Sequence, residues 1–177
     1  MKVASHPLDP ALFEPAQRVR PVPSIMRMLP VCTNCAVPLS PERAFDLFAR
    51  EIGKWWPRAY TFSAERLASV GIEPIAGGRW FECDDAGRET AWGDVRAFEP
   101  GHRLSLTWAI SARRTLESPR HASEIEIEFI EGEAGHTRVE LEHRQFARQL
   151  DGEKIRAGMA SPLGWPFILQ LYAQAAR

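Results

Sequence analysis

The sequence predicts an α+β fold in which an antiparallel sheet lies between an N-terminal and a C-terminal helix. Three observations carry this prediction: helical spacing after Ser40, alternation of apolar and polar side chains from about residue 70 to 146, and a second helical pattern from about residue 161. The length of 177 residues suits one domain with a sizeable core. We therefore expect a single domain over residues 31–177, preceded by an extension over residues 1–30.

The extension is predicted to be flexible because proline interrupts both helices and strand ladders. Its six prolines are Pro7, Pro10, Pro15, Pro21, Pro23 and Pro30.

The first elements are a strand and a helix. Val31–Val37 is a short strand candidate. Ser40-Pro41-Glu42 then combines an N-cap, a first-turn proline and an acidic residue at the positive end of a helix. Apolar residues continue at helical spacing to Ile52, and Gly53 is placed to end the helix.

The sheet segment contains two hairpins whose registers follow from the pattern. If Pro100-Gly101 forms a two-residue turn, Leu104 faces Ala97, Leu106 faces Val95, and Trp108 faces the small Gly93. This register turns Trp92 to the opposite face, where an exposed indole would be a candidate contact patch. In the last hairpin, the polar residues of the two strands share one face only if the loop has an odd length of three or five residues. These polar residues are Glu124, Glu126 and Glu128 on the first strand and Arg138, Glu140, Glu142 and Arg144 on the second.

The C-terminal region is predicted to contain a short helix over residues 151–157 and a longer helix after it. Ser161-Pro162 repeats the cap-plus-proline signal, and Pro166 is tolerable only in a first turn. The last helix should therefore begin near Gly164.

Charge and composition limit the partners. Lys and Arg number 22 and Asp and Glu 23, which gives a formal charge of −1 and argues against nucleic acid or an anionic membrane surface. No apolar run approaches the roughly 20 residues that span a bilayer. Three cysteines are too few for a disulfide framework, so we expect a cytoplasmic protein. Monomer and homodimer remain equally open.

The order of elements and several short motifs resemble the START-like (SRPBCC, Bet v-like) helix-grip superfamily, and within it the bacterial branch related to activators of the heat-shock-protein-ninety ATPase. The resemblance spans residues 31–176 and implies a curved sheet wrapped around a long C-terminal helix, a cavity between them and usually no catalytic residue set. The segment Ser111 to Ala122 departs from the pattern. The motifs are Trp55-Trp56-Pro57, Gly77-Gly78-Arg79, Trp92-Gly93-Asp94-Val95, Pro100-Gly101-His102-Arg103-Leu104, Thr107-Trp108, residues 137–144 and Gly164-Trp165-Pro166.

His143 is the most informative polar residue because it falls on the apolar face of its strand, where an unpaired imidazole would cost free energy. Three interpretations stay open: a cavity histidine that contacts a ligand, a core histidine satisfied by protein groups, or a general base. No serine, cysteine or carboxylate has the spacing of an obvious catalytic companion.

Two other motifs have plain structural interpretations. Cys32 and Cys35 form a CxxC motif, but in a strand their side chains point to opposite faces and could not share a metal. The connection 111–122 is locally basic through Arg113, Arg114 and their neighbours. Such a run is usually solvated surface, although it can also contact an anionic ligand group or an acidic partner.

The sequence therefore predicts a non-catalytic domain that binds a small hydrophobic ligand between the sheet and the C-terminal helix. We expect no cofactor and no metal, and a role associated with stress or chaperones. Two alternatives are a protein-interaction module that stimulates a chaperone ATPase, and a cyclase-, dehydratase- or hydrolase-like enzyme that uses His143. The predicted ligand-binding residues are Trp56, Leu106, Trp108, Ile127, Leu141, His143 and Phe167.

Overall fold

A computed structural model describes residues 28–177, so the predicted extension lies outside the described residues up to residue 27. The helices and strands are β1 (Val31–Val37), α1 (Pro41–Ala49), β2 (Leu67–Ile72), β3 (Arg79–Asp84), β4 (Glu89–Glu99), β5 (Arg103–Trp108), β6 (Ser123–Glu131), β7 (Thr137–Arg144), α2 (Gly152–Ala160) and α3 (Trp165–Ala175).

The seven strands form one curved antiparallel sheet in the order β1-β7-β6-β5-β4-β3-β2. Strands β2 to β7 follow one another as a meander, and β1 pairs with β7 at the far edge. The three helices pack against this sheet, and the Tyr172 hydroxyl of α3 donates a hydrogen bond of 2.9 Å to the Ala44 carbonyl of α1. The predicted helix-grip fold is confirmed.

The C-terminal helix is shorter than the resemblance implies. Helix α3 has 11 residues, and a break over Ser161 to Gly164 separates it from α2. Gly164 is required at this break, since a Cβ there would lie 2.3 Å from the Met159 carbonyl oxygen. The helical layer over the sheet therefore consists of two short helices joined by a tight turn.

The predicted start of α1 is confirmed. Pro41 occupies its first turn, and the Ser40 hydroxyl accepts a hydrogen bond of 3.4 Å from the Arg43 backbone N–H. The helix ends at Ala49, earlier than expected, and a separate 3₁₀ turn over Ile52–Lys54 follows it. Phe45 and Phe48 on its inner face are buried against the sheet.

The two hairpin registers have different outcomes. The β6–β7 hairpin has a five-residue loop, and Glu128 pairs with Glu140 as the alternation predicts. In the β4–β5 hairpin, Leu106 pairs with Val95 as expected, but Leu104 pairs with Phe98 rather than Ala97. The reason is a three-residue loop from 100 to 102 combined with a β-bulge at residue 96.

The predicted placement of Trp92 on the face opposite Trp108 is wrong, because both rings pack against Trp80 in the core. The β3–β4 pairing shifts between Trp80–Gly93 and Phe81–Ala91, so a β-bulge at Trp92 interrupts the alternation. Trp92 and Gly93 are consequently both buried, and Trp92 has an exposed fraction of 0%. Extending the alternation through β4 assumes an unbroken strand, and it therefore placed Trp92 on the wrong face.

Gly93 makes room for the sheet backbone rather than for the Trp108 indole. A Cβ at position 93 would lie 1.9 Å from the Thr107 carbonyl oxygen and 2.7 Å from Trp80 Nε1. Real Cβ atoms do not approach backbone this closely, so glycine is required where β4 lies beside β5.

We expect Gly93→Ala to lower the free energy of unfolding by about 3 kcal/mol, because the added methyl group forces β4 away from β5. Urea unfolding followed by tryptophan fluorescence measures this change. Gly158→Ala is the matched control, since a Cβ there meets no atom within 4 Å; it should raise stability by about 0.5–1 kcal/mol. Equal effects of the two substitutions would contradict the close approach at Gly93.

Candidate ligand-binding cavity

A cavity of about 360 Å³ lies at the edge of the sheet where β5 ends. Its volume is within the range of small-molecule sites. Its walls come from the end of β5 and the loop after it, the loop before β2, helix α2 and the start of α3. Most of the lining is apolar. The lining residues are Tyr60, Phe62, Trp108, Ile110, Ser111, Ala112, Arg114, Lys154, Ile155, Gly158, Met159, Leu163, Gly164 and Ile168.

Trp108 forms the sheet side of the cavity. Its indole N–H donates a hydrogen bond of 2.9 Å to the Ile110 carbonyl, which fixes the ring against the end of its own strand. The ring packs at 5.6 Å from Trp80 and at 6.0 Å from Trp165, measured between ring centroids. The wall is therefore rigid, because it is the outer member of a packed aromatic cluster.

The loop before β2 supplies a second wall and is held by a buried carboxylate. Glu82 on β3 has an exposed fraction of 0%. Its oxygens accept hydrogen bonds from the backbone N–H groups of Phe62 at 2.7 Å and Ser63 at 2.6 Å, from the Ser63 hydroxyl at 2.5 Å and from Trp92 Nε1 at 3.0 Å. Four donors satisfy a charge that would otherwise be costly to bury. Glu82 thereby fixes the loop that presents Tyr60 and Phe62 to the cavity.

Two hydrogen bonds join the walls to one another. The Tyr60 hydroxyl donates to the Leu163 carbonyl at 2.7 Å, which connects the loop before β2 to the turn between α2 and α3. Arg114 Nη2 donates to the Thr61 carbonyl at 2.8 Å, which connects the same loop to the segment after β5. These bonds link the three loops that, together with the end of β5 and helices α2 and α3, enclose the cavity.

His143 lies one layer behind the cavity wall, and protein groups engage both of its ring nitrogens. Trp165 Nε1–H donates to His143 Nδ1 at 3.0 Å, so the neutral ring carries its proton on Nε2. Nε2 lies 2.7 Å from Ser123 Oγ, which in turn donates to the Trp108 carbonyl at 3.4 Å. Burial lowers the pKa of His143 to about 3. The imidazole is therefore neutral and holds two cavity-wall segments together.

The other residues predicted to bind a ligand occupy several layers. Trp108 lines the cavity. Trp56 is buried among Trp80, Trp92 and Trp165. Leu106, Ile127 and Leu141 are buried on the inner face of the sheet, and Phe167 is half-buried with its ring 6.0 Å from that of Tyr60.

Sequence reasoning missed most of the lining residues. The alternation in β5 already placed Ile110 on the face of Trp108, and the four-residue spacing of Ile155 and Met159 on α2 was a second available signal. Tyr60 and Phe62 carried no periodic signal because they lie in an irregular loop.

The CxxC motif lies away from this cavity. Cys32 is exposed on the outer face of β1, whereas Cys35 packs against the core. The two thiols therefore point to opposite faces, as strand geometry predicts. Burial raises the pKa of Cys35 to about 11, so this thiol is protonated at neutral pH. Within residues 28–177 no cluster of three or more His, Cys, Asp or Glu side chains has metal-binding geometry.

The curved antiparallel sheet, its helical layer and the apolar cavity define a START-like helix-grip protein. The family described as activator of Hsp90 ATPase homolog 1-like protein matches residues 38–166, and the chain belongs to this family. No curated protein matches the sequence. No helix in the described part of the chain is long and apolar enough to cross a membrane.

Several solved structures share the fold. An anthrahydroquino-gamma-pyrone synthase, Txn09, is 32% identical, with 84% of this chain and 97% of that chain covered and a TM-score of 0.58. The self-sacrificing resistance protein CalC from Micromonospora echinospora is 26% identical, with 83% of this chain and 93% of CalC covered and a TM-score of 0.59. Protein NE0264 from Nitrosomonas europaea is 14% identical, with 84% and 94% covered and a TM-score of 0.59, and it shows the fold alone.

We expect Glu82→Gln to lower the free energy of unfolding by about 3 kcal/mol, because the amide leaves at least one buried donor opposite its own N–H₂ group. Urea unfolding measures this loss, and hydrogen exchange should show faster exchange at the amides of Phe62 and Ser63. Glu65→Gln, an exposed change in the same loop, is the control and should change neither. Unaltered exchange in Glu82→Gln would show that the carboxylate does not hold the loop.

Stability should also depend on His143 at mildly acidic pH. The pKa of His143 in the folded protein, about 3, lies below the ordinary value of 6.5, so the unfolded chain binds a proton that the folded chain does not. The free energy of unfolding therefore has its full value above pH 6.5 and decreases as the pH falls towards 3. We expect a decrease of about 2 kcal/mol between pH 7 and pH 5.

Urea unfolding at several pH values tests this dependence. His143→Gln should flatten the curve between pH 7 and pH 5, whatever its effect on stability at pH 7. His121 is exposed, and His121→Gln should leave the pH dependence of the free energy of unfolding unchanged. A slope that persists in His143→Gln would assign the pH dependence to other groups.

Proposed function

We propose that this protein binds a small hydrophobic molecule in the cavity without transforming it. The observation that carries the proposal is an apolar cavity of about 360 Å³ walled by Trp108, Ile155 and Ile168. A ligand that buries about 200 Å² of apolar surface there gains about 5 kcal/mol before the cost of association is subtracted. Direct contact is assigned to Trp108, with Phe167 beside the rim.

In our proposal, the remaining predicted residues do not contact the ligand but pack behind the residues that line the cavity. Leu106, Ile127 and Leu141 fill the inner face of the sheet, and His143 links Trp108 to Trp165 through Ser123. A ligand would thus contact the surface that these residues hold in place. The names of Txn09 as a synthase and CalC as a resistance protein are compatible with small-molecule recognition on this fold.

The two alternative functions receive less support. An acid–base role for His143 would require a free ring nitrogen that reaches the cavity, and both nitrogens are engaged within the core. Stimulation of a chaperone ATPase was expected to use exposed groups such as Trp92, and Trp92 is buried. A chaperone partner or a role in stress would have to involve another surface. A cytoplasmic location remains part of the proposal and is supported by the three free cysteines.

The neutral fluorophore N-phenyl-1-naphthylamine tests cavity binding, since its emission rises in apolar surroundings. We expect saturable binding with a stoichiometry of one. Gly158 lines the cavity and has open space beside it, so Gly158→Phe should weaken binding by about tenfold or more by filling that space. Ala157→Phe changes the adjacent exposed position of α2 and is the matched control.

Two results would overturn the proposal. One is the absence of saturable binding, together with native mass spectrometry that finds no small molecule retained by the purified protein. The other is an equal effect of Gly158→Phe and Ala157→Phe, which would place the fluorophore outside the cavity.

A further inference from the structure

We infer that the ligand is an amphipathic acid, with an apolar body in the cavity and one anionic group paired with the Arg114 guanidinium. This inference rests on the proposed cavity binding and adds the chemical class of the ligand.

The charges that line the cavity are all positive. Arg114 and Lys154 are its charged lining residues, and no Asp or Glu is among them. Lys154 Nζ already has a partner in Asp151 Oδ1 at 3.3 Å. Within residues 28–177, by contrast, no carboxylate oxygen lies within 4.0 Å of the Arg114 guanidinium. Arg114 is thus the cation at the cavity that can accept a new counter-ion.

Arg114 also has hydrogen-bond donors to spare. A guanidinium carries five N–H donors in a planar fork. In the described part of the chain, the Arg114 side chain donates a hydrogen bond to the Thr61 carbonyl alone. The remaining donors can bind two oxygens of a carboxylate, sulfonate or phosphate side by side.

Hydrogen bonds hold the turn that carries Arg114, an exposed residue that lines the cavity. Its backbone N–H donates to the Ser111 carbonyl at 3.0 Å, and the Ser111 and Thr115 hydroxyls lie 2.8 Å apart across the same turn. The guanidinium carbon lies 5.7 Å from the centroid of the Phe62 ring, which itself lines the cavity. Positive charge and apolar surface therefore adjoin at one place in the cavity wall.

On the outer face of β6 and β7, by contrast, the arginines already have carboxylate partners. Arg138 pairs with Glu140, and Arg144 pairs with Glu126 and Glu142. The competing explanation is that Arg114 only clamps two loops through Thr61, and this explanation predicts equal effects on charged and neutral ligands.

Two probes with the same body separate these explanations. 8-Anilinonaphthalene-1-sulfonate carries a sulfonate on the anilinonaphthalene skeleton of the neutral N-phenyl-1-naphthylamine. The substitution Arg114→Gln removes the charge and keeps an N–H₂ group for the Thr61 carbonyl. We expect it to weaken binding of the sulfonate by about tenfold and binding of the neutral probe by less than about twofold.

Arg113→Gln is the matched control, because Arg113 precedes Arg114 in the same turn and does not line the cavity. It should change the affinity for neither probe by more than about twofold. Added sodium chloride should weaken sulfonate binding to the original protein and have much less effect on Arg114→Gln.

The outcomes distinguish this inference from the proposed function. Equal weakening of both probes in Arg114→Gln would make Arg114 a structural clamp and overturn the inference. Unchanged affinity for the sulfonate would overturn it too. In both cases the cavity proposal survives if the neutral probe still binds the original protein and Gly158→Phe still blocks it. If neither probe binds the original protein and native mass spectrometry finds no retained small molecule, the cavity proposal itself fails.

Discussion

The buried carboxylate of Glu82 is the interaction on which the rest of the candidate site depends. A charge with an exposed fraction of 0% is tolerated only when its hydrogen-bonding capacity is met. The four donors that meet it come from the loop at Phe62 and Ser63 and from the bulged Trp92. One side chain therefore fixes both an irregular loop and an irregular strand. The Arg114 and Tyr60 hydrogen bonds then attach the other two walls to that loop.

His143 has the same kind of role on the other side of the cavity. Its neutral ring accepts from Trp165 and is linked through Ser123 to the Trp108 carbonyl, so it joins the helix that covers the sheet to the strand that ends at the cavity. An apolar-face histidine can be recognised from sequence, because alternation identifies the face. Alternation does not measure depth, and a residue that faces a cavity gives the same pattern as one that lies a layer behind it.

The sequence predicted regular features well and irregular ones poorly. The register of β6 and β7 followed from alternating charges, and the start of α1 followed from Ser40 and Pro41. The bulge at Trp92 and the shifted pairing of Leu104 were missed, since one extra residue in a strand changes no local propensity. Cavity residues on loops, such as Tyr60, were missed for a related reason: long-range contacts such as those of Glu82 fix their positions.

The location of the cavity follows from how the aromatic core is filled. All six tryptophans are buried, and Trp56, Trp80 and Trp92 pack with ring centroids within 6 Å of one another. Such large rings occupy the space between the sheet and the helices, and the apolar cavity lies beside them where β5 ends. There the walls combine Trp108 of β5 and Ile155 of α2 with loops, including the segment after β5. Trp80, Trp92 and Trp108 are strand residues of this cluster. Side chains that face the cavity from the segment after β5, such as Ile110 and Arg114, can therefore be exchanged while the fold is retained.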